Sequence, residues 1–261
     1  MNYGVAVISI IPCRSEPNDR AEQTTQVLFG EHYKVLEERK KFVRIRIAFD
    51  RYEGWICRKQ HTEITEEEYQ NLHKQHQCNC SRDLMGLLTC EEDESVMPIP
   101  MGSTLPGIQN NKIVLAGKSF TYSGEVVHEP GKDKVKLLEH ALMYENAPYL
   151  WGGKSPFGID CSGYTQMIYK LSGIKLPRDA SQQALIGTTL SFVEEAEPGD
   201  LAFFDNEEGD IVHVGILLED NYIIHASGKV RIDRIDHQGI YNPEMRDYSH
   251  NLRIIKRIYN L

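Results

Sequence analysis

Short apolar runs that change period divide the chain. Residues 5–11 form one run and 33–36 a second. In the third, Phe42, Val43, Ile45 and Ile47 alternate with Arg44, Arg46 and Ala48, and Tyr52-Glu53-Gly54-Trp55-Ile56 is a turn entering a fourth. Period-two patterning cut by Gly and Asp predicts the strands of a small barrel over residues 1–62. Residues 63–90 change character. In Ile64-Thr65-Glu66-Glu67-Glu68-Tyr69, Thr65 reads as an N-cap and Glu68 as its capping-box partner. Pro98, Pro100, Gly102, Pro106 and Gly107 then split residues 91–128 into a second, shorter β unit, and Pro130-Gly131 marks a boundary before residues 130–261.

Beyond that boundary the period becomes helical. Val135, Leu138, Ala141 and Leu142 predict one helical face, ending before Pro148. Tyr164, Met167, Ile168 and Leu171 predict another, opened by Asp160 and closed by Gly173. Strands are predicted near 200–204, 211–218, 222–226, 230–235 and 252–259. This is an α+β pattern.

Charge narrows the function. Asp and Glu number 38 against 29 Lys and Arg, a formal charge of −9 over 261 residues. A balance this acidic disfavours a general nucleic-acid binder and adhesion to an anionic membrane. No run of apolar residues is long enough for a transmembrane helix, and the first residues read as a strand rather than an export signal, so a cytoplasmic location is expected, with the cell envelope as the alternative if a signal was removed. The six cysteines are expected to be mostly free thiols.

One cysteine stands out. Cys161 follows Asp160 in the first turn of a predicted helix, on the face of Tyr164 and Ile168. Amide dipoles there favour a thiolate, so its pKa is expected to fall by about a unit or more. His213 and His225 lie in two predicted strands joined by Glu219-Asp220-Asn221. With a three-residue loop, Leu218 pairs with Tyr222 and Gly215 faces His225. Both histidines then share a face as diagonal neighbours, roughly 7–8 Å apart, and Val212, Val214, Ile216 and Leu218 form the opposite, core face. A two-residue loop would put them on opposite faces. The residues alone leave two readings open: a cysteine nucleophile with a histidine base and an orienting group, or a buried structural thiol beside two sheet-edge histidines.

Five segments in order carry a resemblance: Tyr149-Leu150-Trp151-Gly152-Gly153, Asp160-Cys161-Ser162-Gly163, Pro198-Gly199-Asp200-Leu201, His213-Val214-Gly215-Ile216 and Ile224-His225-Ala226-Ser227. Together they resemble the NlpC-type cell-wall cysteine peptidases of the papain-like clan, over residues 130–261. The resemblance implies Cys161 as nucleophile, His213 as base and His225 as third member, acting on the bond between γ-D-glutamate and a diamino acid of peptidoglycan stem peptides. It implies that Tyr149 assists the oxyanion, and that Asp160, Ser162 and, alternatively to simple packing, Trp151 line the groove. Arg14-Ser15-Glu16-Pro17, Leu28-Phe29-Gly30-Glu31 and Tyr52-Glu53-Gly54-Trp55-Ile56 resemble bacterial Src-homology-3-like barrels. Two such barrels ahead of the peptidase domain are similar to the recycling endopeptidases that take peptides with a free N-terminal L-alanine. That implies substrate-recognition roles for Glu16, Tyr52 and Asp179, although Asp179 also reads as a helix cap. The implied fold is a papain-like domain after two small all-β barrels, with no cofactor and no metal. An acyltransferase or amidase, a wall-binding module and a regulatory thiol protein are the alternatives.

Other features read as structural. Cys78-Asn79-Cys80 with His73 and His76 lacks metal-site spacing. Residues 91–94 read as a solvated acidic loop, and Met97 and Met101 as gap fillers.

Overall fold

The structure is a computed structural model that describes residues 2–74, 79–128, 131 and 133–258. The chain divides into two compact units, Met1–Pro130 with Trp151–Pro156, and Gly131–Leu150 with Phe157–Leu261.

The first unit opens with seven antiparallel strands: β1 (Asn2–Val5), β2 (Ile10–Arg14), β3 (Gln23–Leu28), β4 (His32–Glu38), β5 (Phe42–Ile47), β6 (Glu53–Cys57) and β7 (Thr62–Ile64). Their order is β3-β2-β6-β5-β4-β1-β7. The alternation in β5 is real: Val43, Ile45 and Ile47 are buried with Ile11, Val27 and Ile56, while Arg44 and Arg46 reach Glu53. The run at 5–11 is not one strand. It breaks between β1 and β2, where Ala6 and Ser9 bond instead to Glu31 and Phe29.

Next come α1 (Glu66–Lys74), β8 (Cys80–Ser81), β9 (Met85–Cys90), β10 (Val96–Pro100), β11 (Lys112–Leu115), β12 (Lys118–Ser123) and β13 (Val126–Val127). Thr65 and Glu68 form the expected capping box, with Glu68 N–H donating to Thr65 Oγ1 at 3.2 Å and Thr65 N–H to Glu68 Oε2 at 2.8 Å. The second sheet, β10-β9-β12-β11, starts at Met85, earlier than the Pro/Gly punctuation suggested. One core joins the two β parts: Tyr3, Val5, Phe29, Ile64 and Tyr69 cluster with Leu88, Ile99, Leu105, Phe120 and Tyr122, and Met97 packs against them. Apolar burial is therefore continuous across residue 62. Of the possible metal set, His76 and Cys78 lie outside the described residues, while His73 stacks on Tyr69.

Residues 151–156, carrying β14 (Lys154–Ser155), belong to this unit. Gly152 adopts φ +74°, and a Cβ there would stand 2.4 Å from the Gln23 carbonyl oxygen, so only glycine fits. Lys154 Nζ is fully buried and donates to both Glu31 oxygens at 3.2 and 3.3 Å. Glu31 also accepts the Leu28 N–H at 2.9 Å. Removing one member strands a buried charge. Lys154→Met should cost about 3–5 kcal/mol in denaturant unfolding, and Lys154→Met with Glu31→Gln should recover part of it. A single variant as stable as the wild type would contradict this.

The second unit contains α2 (Lys134–Met143), β15 (Gly158–Ile159), α3 (Cys161–Leu171), α4 (Ala180–Gln183) and strands β16 (Thr188–Leu190), β17 (Leu201–Asp205), β18 (Ile211–Leu217), β19 (Tyr222–Ser227), β20 (Lys229–Ile235), β21 (Gly239–Asn242) and β22 (Asp247–Arg257). Strands β17 to β22 pair in sequence, and β22 also pairs β21 and β17, closing a six-stranded barrel; β16 hangs on β22. The barrel interior gathers Ala202, Phe204, Leu217, Ile223, Ile235, Ile240 and Ile255. The expected face of α2 is corrected in part: Ala141 is buried as expected and Leu138 is half-buried, but Val135 and Leu142 are exposed, and Leu137 and His140 are buried in their place. The fold selects the neighbouring stripe because Tyr164 of α3 donates its hydroxyl to the Ala141 carbonyl at 3.0 Å. Helix α3 has no solvent face at all; every residue from Cys161 to Leu171 is buried.

Candidate active site

The site starts at the first turn of α3. Asp160 is the N-cap, accepting the Gly163 N–H at 2.7 Å. Its carboxylate also takes both arms of buried Arg178, at 3.0 and 2.6 Å. Arg178 reaches on to Ser162 Oγ at 2.9 Å. Asp160 and Ser162 therefore hold the helix start through a buried ion pair. Sequence reasoning missed Arg178, whose setting between Pro177 and Asp179 carries no signal of a partner 18 residues away.

The backbone N–H groups of Ser162 and of Val214 in β18 act on the Cys161 thiol and pull its pKa down. The second donor explains why the strands part here. The β18–β19 ladder runs from Leu217 to Gly215 and stops, which frees the Val214 amide for the thiol. His213 is the next residue along β18.

The hairpin follows the three-residue register. Gly215 faces His225 and Leu217 faces Ile223, while Asp220 and Asn221 take left-handed φ of 56° and 59° in the loop. A Cβ on Gly215 would lie 2.8 Å from His225 Cβ, so glycine clears the space that His225 uses. The opposite face is only partly core: Val214 and Ile216 are buried, Leu218 is half-buried and Val212 is exposed, because Val212 lies beyond the point where the strands part.

A row of bonds starts at His213. His213 Nε2 and His225 Nδ1 are 2.8 Å apart, and His225 Nε2 is 2.9 Å from Asp233 Oδ2. Arg231 forks onto Asp233 at 2.6 and 2.8 Å. Burial pushes the Asp233 carboxyl up, but bonds from His225 and Arg231 outweigh it and hold it at about 2. A carboxylate can only accept, so His225 Nε2–H is the donor. Burial pushes His225 and, more strongly, His213 below their ordinary range, so both are neutral at pH 7. A neutral His225 protonated on Nε2 has a bare Nδ1. His213 Nε2–H therefore donates to it, and His213 Nδ1 carries the free lone pair. Asp233 sets the tautomer that leaves His213 Nδ1 able to accept a proton.

Sequence reasoning missed Asp233 and Arg231. The signal was Gly228: a turn there pairs Ser227 with Lys229 and His225 with Arg231, which sets Asp233 diagonal to His225.

Tyr149 is half-buried and bridges Ile159, directly before the cap. Burial, then the charges of Cys161 and Asp160, push its hydroxyl up to about 12, so it stays a hydrogen-bond donor. Asp179 occupies the N-cap of α4, where its backbone carbonyl accepts from Gln182 and Gln183, but its side chain makes no capping bond. The cap role therefore falls to the backbone alone. Three expected residues sit in the first unit. Glu16 is exposed in the turn after β2, and Tyr52 packs on the first core with Ile8 and Phe49. Trp151 is 58% exposed and donates its indole N–H to Glu22 at 2.6 Å, so it is not a packing residue.

The expected low thiol pKa is corrected. Burial, then the Asp160 carboxylate, push Cys161 up to about 12, against the opposing pull of Val214, Arg178 and Ser162. Either charge alone is disfavoured here, so the resting pair is neutral thiol and neutral imidazole. The acid limb of kcat/KM should consequently lie below pH 6.5, the ordinary histidine value. Alkylation of Cys161 by iodoacetamide should still be rising at pH 9.0, the ordinary thiol value. An alkylation plateau already reached below neutrality would reveal a preformed ion pair instead.

Residues 146–248 match the NlpC/P60 family and residues 13–60 match the bacterial dipeptidyl-peptidase Sh3 domain. The chain carries an NlpC/P60 domain behind a bacterial dipeptidyl-peptidase Sh3 domain. It is 29% identical over 219 residues to the γ-D-glutamyl-L-lysine dipeptidyl-peptidase of Bacillus subtilis, covering 77% of this chain and 71% of that protein. It is 37% identical over 110 residues to the protein of the same name from Bacillus cereus, covering 41% and 32%. The fold matches an NlpC/P60 family protein from Bacillus cereus at TM-score 0.84 and 20% identity, over 98% and 99% of the two chains. It matches an NlpC/P60 endopeptidase from Photobacterium damselae at 0.74 and 17%, over 98% and 71%. With its NlpC/P60 domain of papain-like fold, the chain is a cysteine peptidase.

Proposed function

We propose that the chain hydrolyses the γ-D-glutamyl–L-diamino acid bond of peptidoglycan stem peptides, through a thioester on Cys161. The observation that carries this is the row His213–His225–Asp233, with the bare His213 Nδ1 on the strand whose next amide touches the thiol. The relatives named above for γ-D-glutamyl-L-lysine dipeptidyl-peptidase activity support the substrate class.

The chemistry runs as acyl transfer. His213 Nδ1 takes the Cys161 proton as sulfur attacks the γ-carbonyl carbon. Amides at the α3 start and the Tyr149 hydroxyl stabilise the oxyanion. The C–N bond breaks, and the diamino acid leaves with the proton from His213. Water then attacks the thioester with His213 as base, which releases the γ-carboxyl product and returns the proton to Cys161.

A free N-terminal L-alanine would carry an ammonium, which a carboxylate such as that of Asp179 can hold. Soluble peptides of this kind belong to the cytoplasm in this reading, a point that cell fractionation tests. The test of function is mass spectrometry of L-Ala-γ-D-Glu-diaminopimelate and its lysine counterpart after incubation, with N-acetylated copies alongside. Release of L-Ala-D-Glu from the free peptides only is the expected result. Cleavage of both forms would discard the ammonium pocket, and cleavage of neither would discard the substrate. Transfer of the acyl group to an added amine in place of water would favour an acyltransferase.

A further inference from the structure

One ring in the site takes no part in the row. His250 of β22 lies face to face with His213, ring centroids 4.1 Å apart and planes 25° from parallel. It stands edge-on to His225 at 5.6 Å and to Phe204 at 5.9 Å. Its Nδ1 is 2.9 Å from the Ser249 hydroxyl. The backbone that delivers it is tightly fitted. His250 pairs with Ile240, the register shifts just after Ile240, and a Cβ on the adjoining Gly239 would fall 1.9 Å from the His250 carbonyl oxygen.

We propose that His250 is a positioning residue for the peptidase reaction: its ring is the wall that holds the His213 imidazole in the plane where Nε2 meets His225 and Nδ1 is left to the thiol. The proposal rests on His213 being the base. A histidine side chain tethered through Nε2 alone can still swing about that one bond, and a small swing carries Nδ1 off the sulfur. Contact over the whole ring face removes this freedom.

The same three histidines offer nitrogens within 4.8 Å of one another, a set that resembles metal ligands. The stacking argues against ligation. Near-parallel rings cannot both aim a lone pair at one ion about 2.0–2.1 Å away, and the His213–His225 pair already shares a proton at 2.8 Å. Burial, then the charge of His225, push His250 down to about 4, against the pull of Asp233, so the wall is uncharged over the working range.

The test compares the full-length wild type with His250→Ala and His250→Phe. His250→Ala should lower kcat by about 10-fold with KM within about twofold, because chemistry and not binding is misaligned. His250→Phe keeps a flat ring and loses both nitrogens; it should stay within about threefold of wild type. Thermal midpoints of all three separate a folding defect from misalignment. A second readout needs no substrate: the far-downfield proton resonance of the His213 Nε2–H should stay sharp in the wild type and His250→Phe and broaden in His250→Ala. That pattern supports the wall even if the substrate assignment fails. An alanine variant with wild-type kcat and a sharp resonance would overturn the proposal. A phenylalanine variant as slow as the alanine would overturn it too, by showing that a nitrogen, through metal or proton, is what matters.

Discussion

Cys161→Ala will lower kcat by roughly 10⁴-fold or more while leaving the fold intact. The geometry gives the reason for both halves. The Val214 amide and the α3 start act on Sγ, and alanine puts no nucleophile in its place. The structural parts of the helix start belong to other residues: Asp160 caps Gly163, and Arg178 closes the buried pair. Alanine removes the nucleophile without touching either. Thermal unfolding of the variant should therefore match the wild type within about 1 kcal/mol. Steady-state rates on the γ-D-glutamyl peptides and a melting curve check the two halves. Retention of a tenth of the activity would remove Cys161 from the chemistry, and a large loss of stability would make it a core residue first.

Asp233→Asn is expected to lower kcat by about 10²–10³-fold with little change in KM. Asp233 touches no substrate in this account, yet it does two things. Its charge faces the row in which His213 becomes an imidazolium as sulfur attacks. Its acceptor-only oxygens dictate that His225 carries its proton on Nε2. Asparagine loses the charge in either orientation. It also turns one oxygen into an NH2, which must face an N–H of Arg231, because Arg231 donates to both oxygens. When that NH2 occupies the Oδ2 position, His225 must accept at Nε2, its proton moves to Nδ1, and His213 is left with the proton on the wrong nitrogen. A kcat within twofold of the wild type would mean that the row does not set the tautomer.

Much of this site was legible in the sequence, for physical reasons that differ between its parts. The hairpin around Glu219-Asp220-Asn221 could be registered because strand parity is strict and Gly215 marks the close approach to His225. Cys161 could be put at a helix start because Asp160 is a strong N-cap and Gly173 a strong stop. The buried stripe of α2 keeps Ala141 from the expected face but takes Leu137 and the polar His140 in place of Val135 and Leu142, a choice made by the contact with Tyr164 rather than by apolar period. Arg178 and His250 were invisible for a common cause. Each is brought in by a tertiary contact, one across a loop and one across a bulged strand, and neither leaves a periodic trace. The thiol pKa failed because the helix dipole can be read from sequence, whereas complete enclosure of α3 cannot.

The most direct measurement uses L-Ala-γ-D-Glu with a p-nitroanilide in place of the diamino acid. A good leaving group speeds acylation, so that deacylation limits turnover. Rapid acid quench followed by mass spectrometry of the digested protein should find the L-Ala-γ-D-Glu acyl group on the peptide containing Cys161. The burst of nitroaniline should equal the enzyme present. An acyl group mapped to any other residue would contradict the account, as would steady release while Cys161 remains open to alkylation.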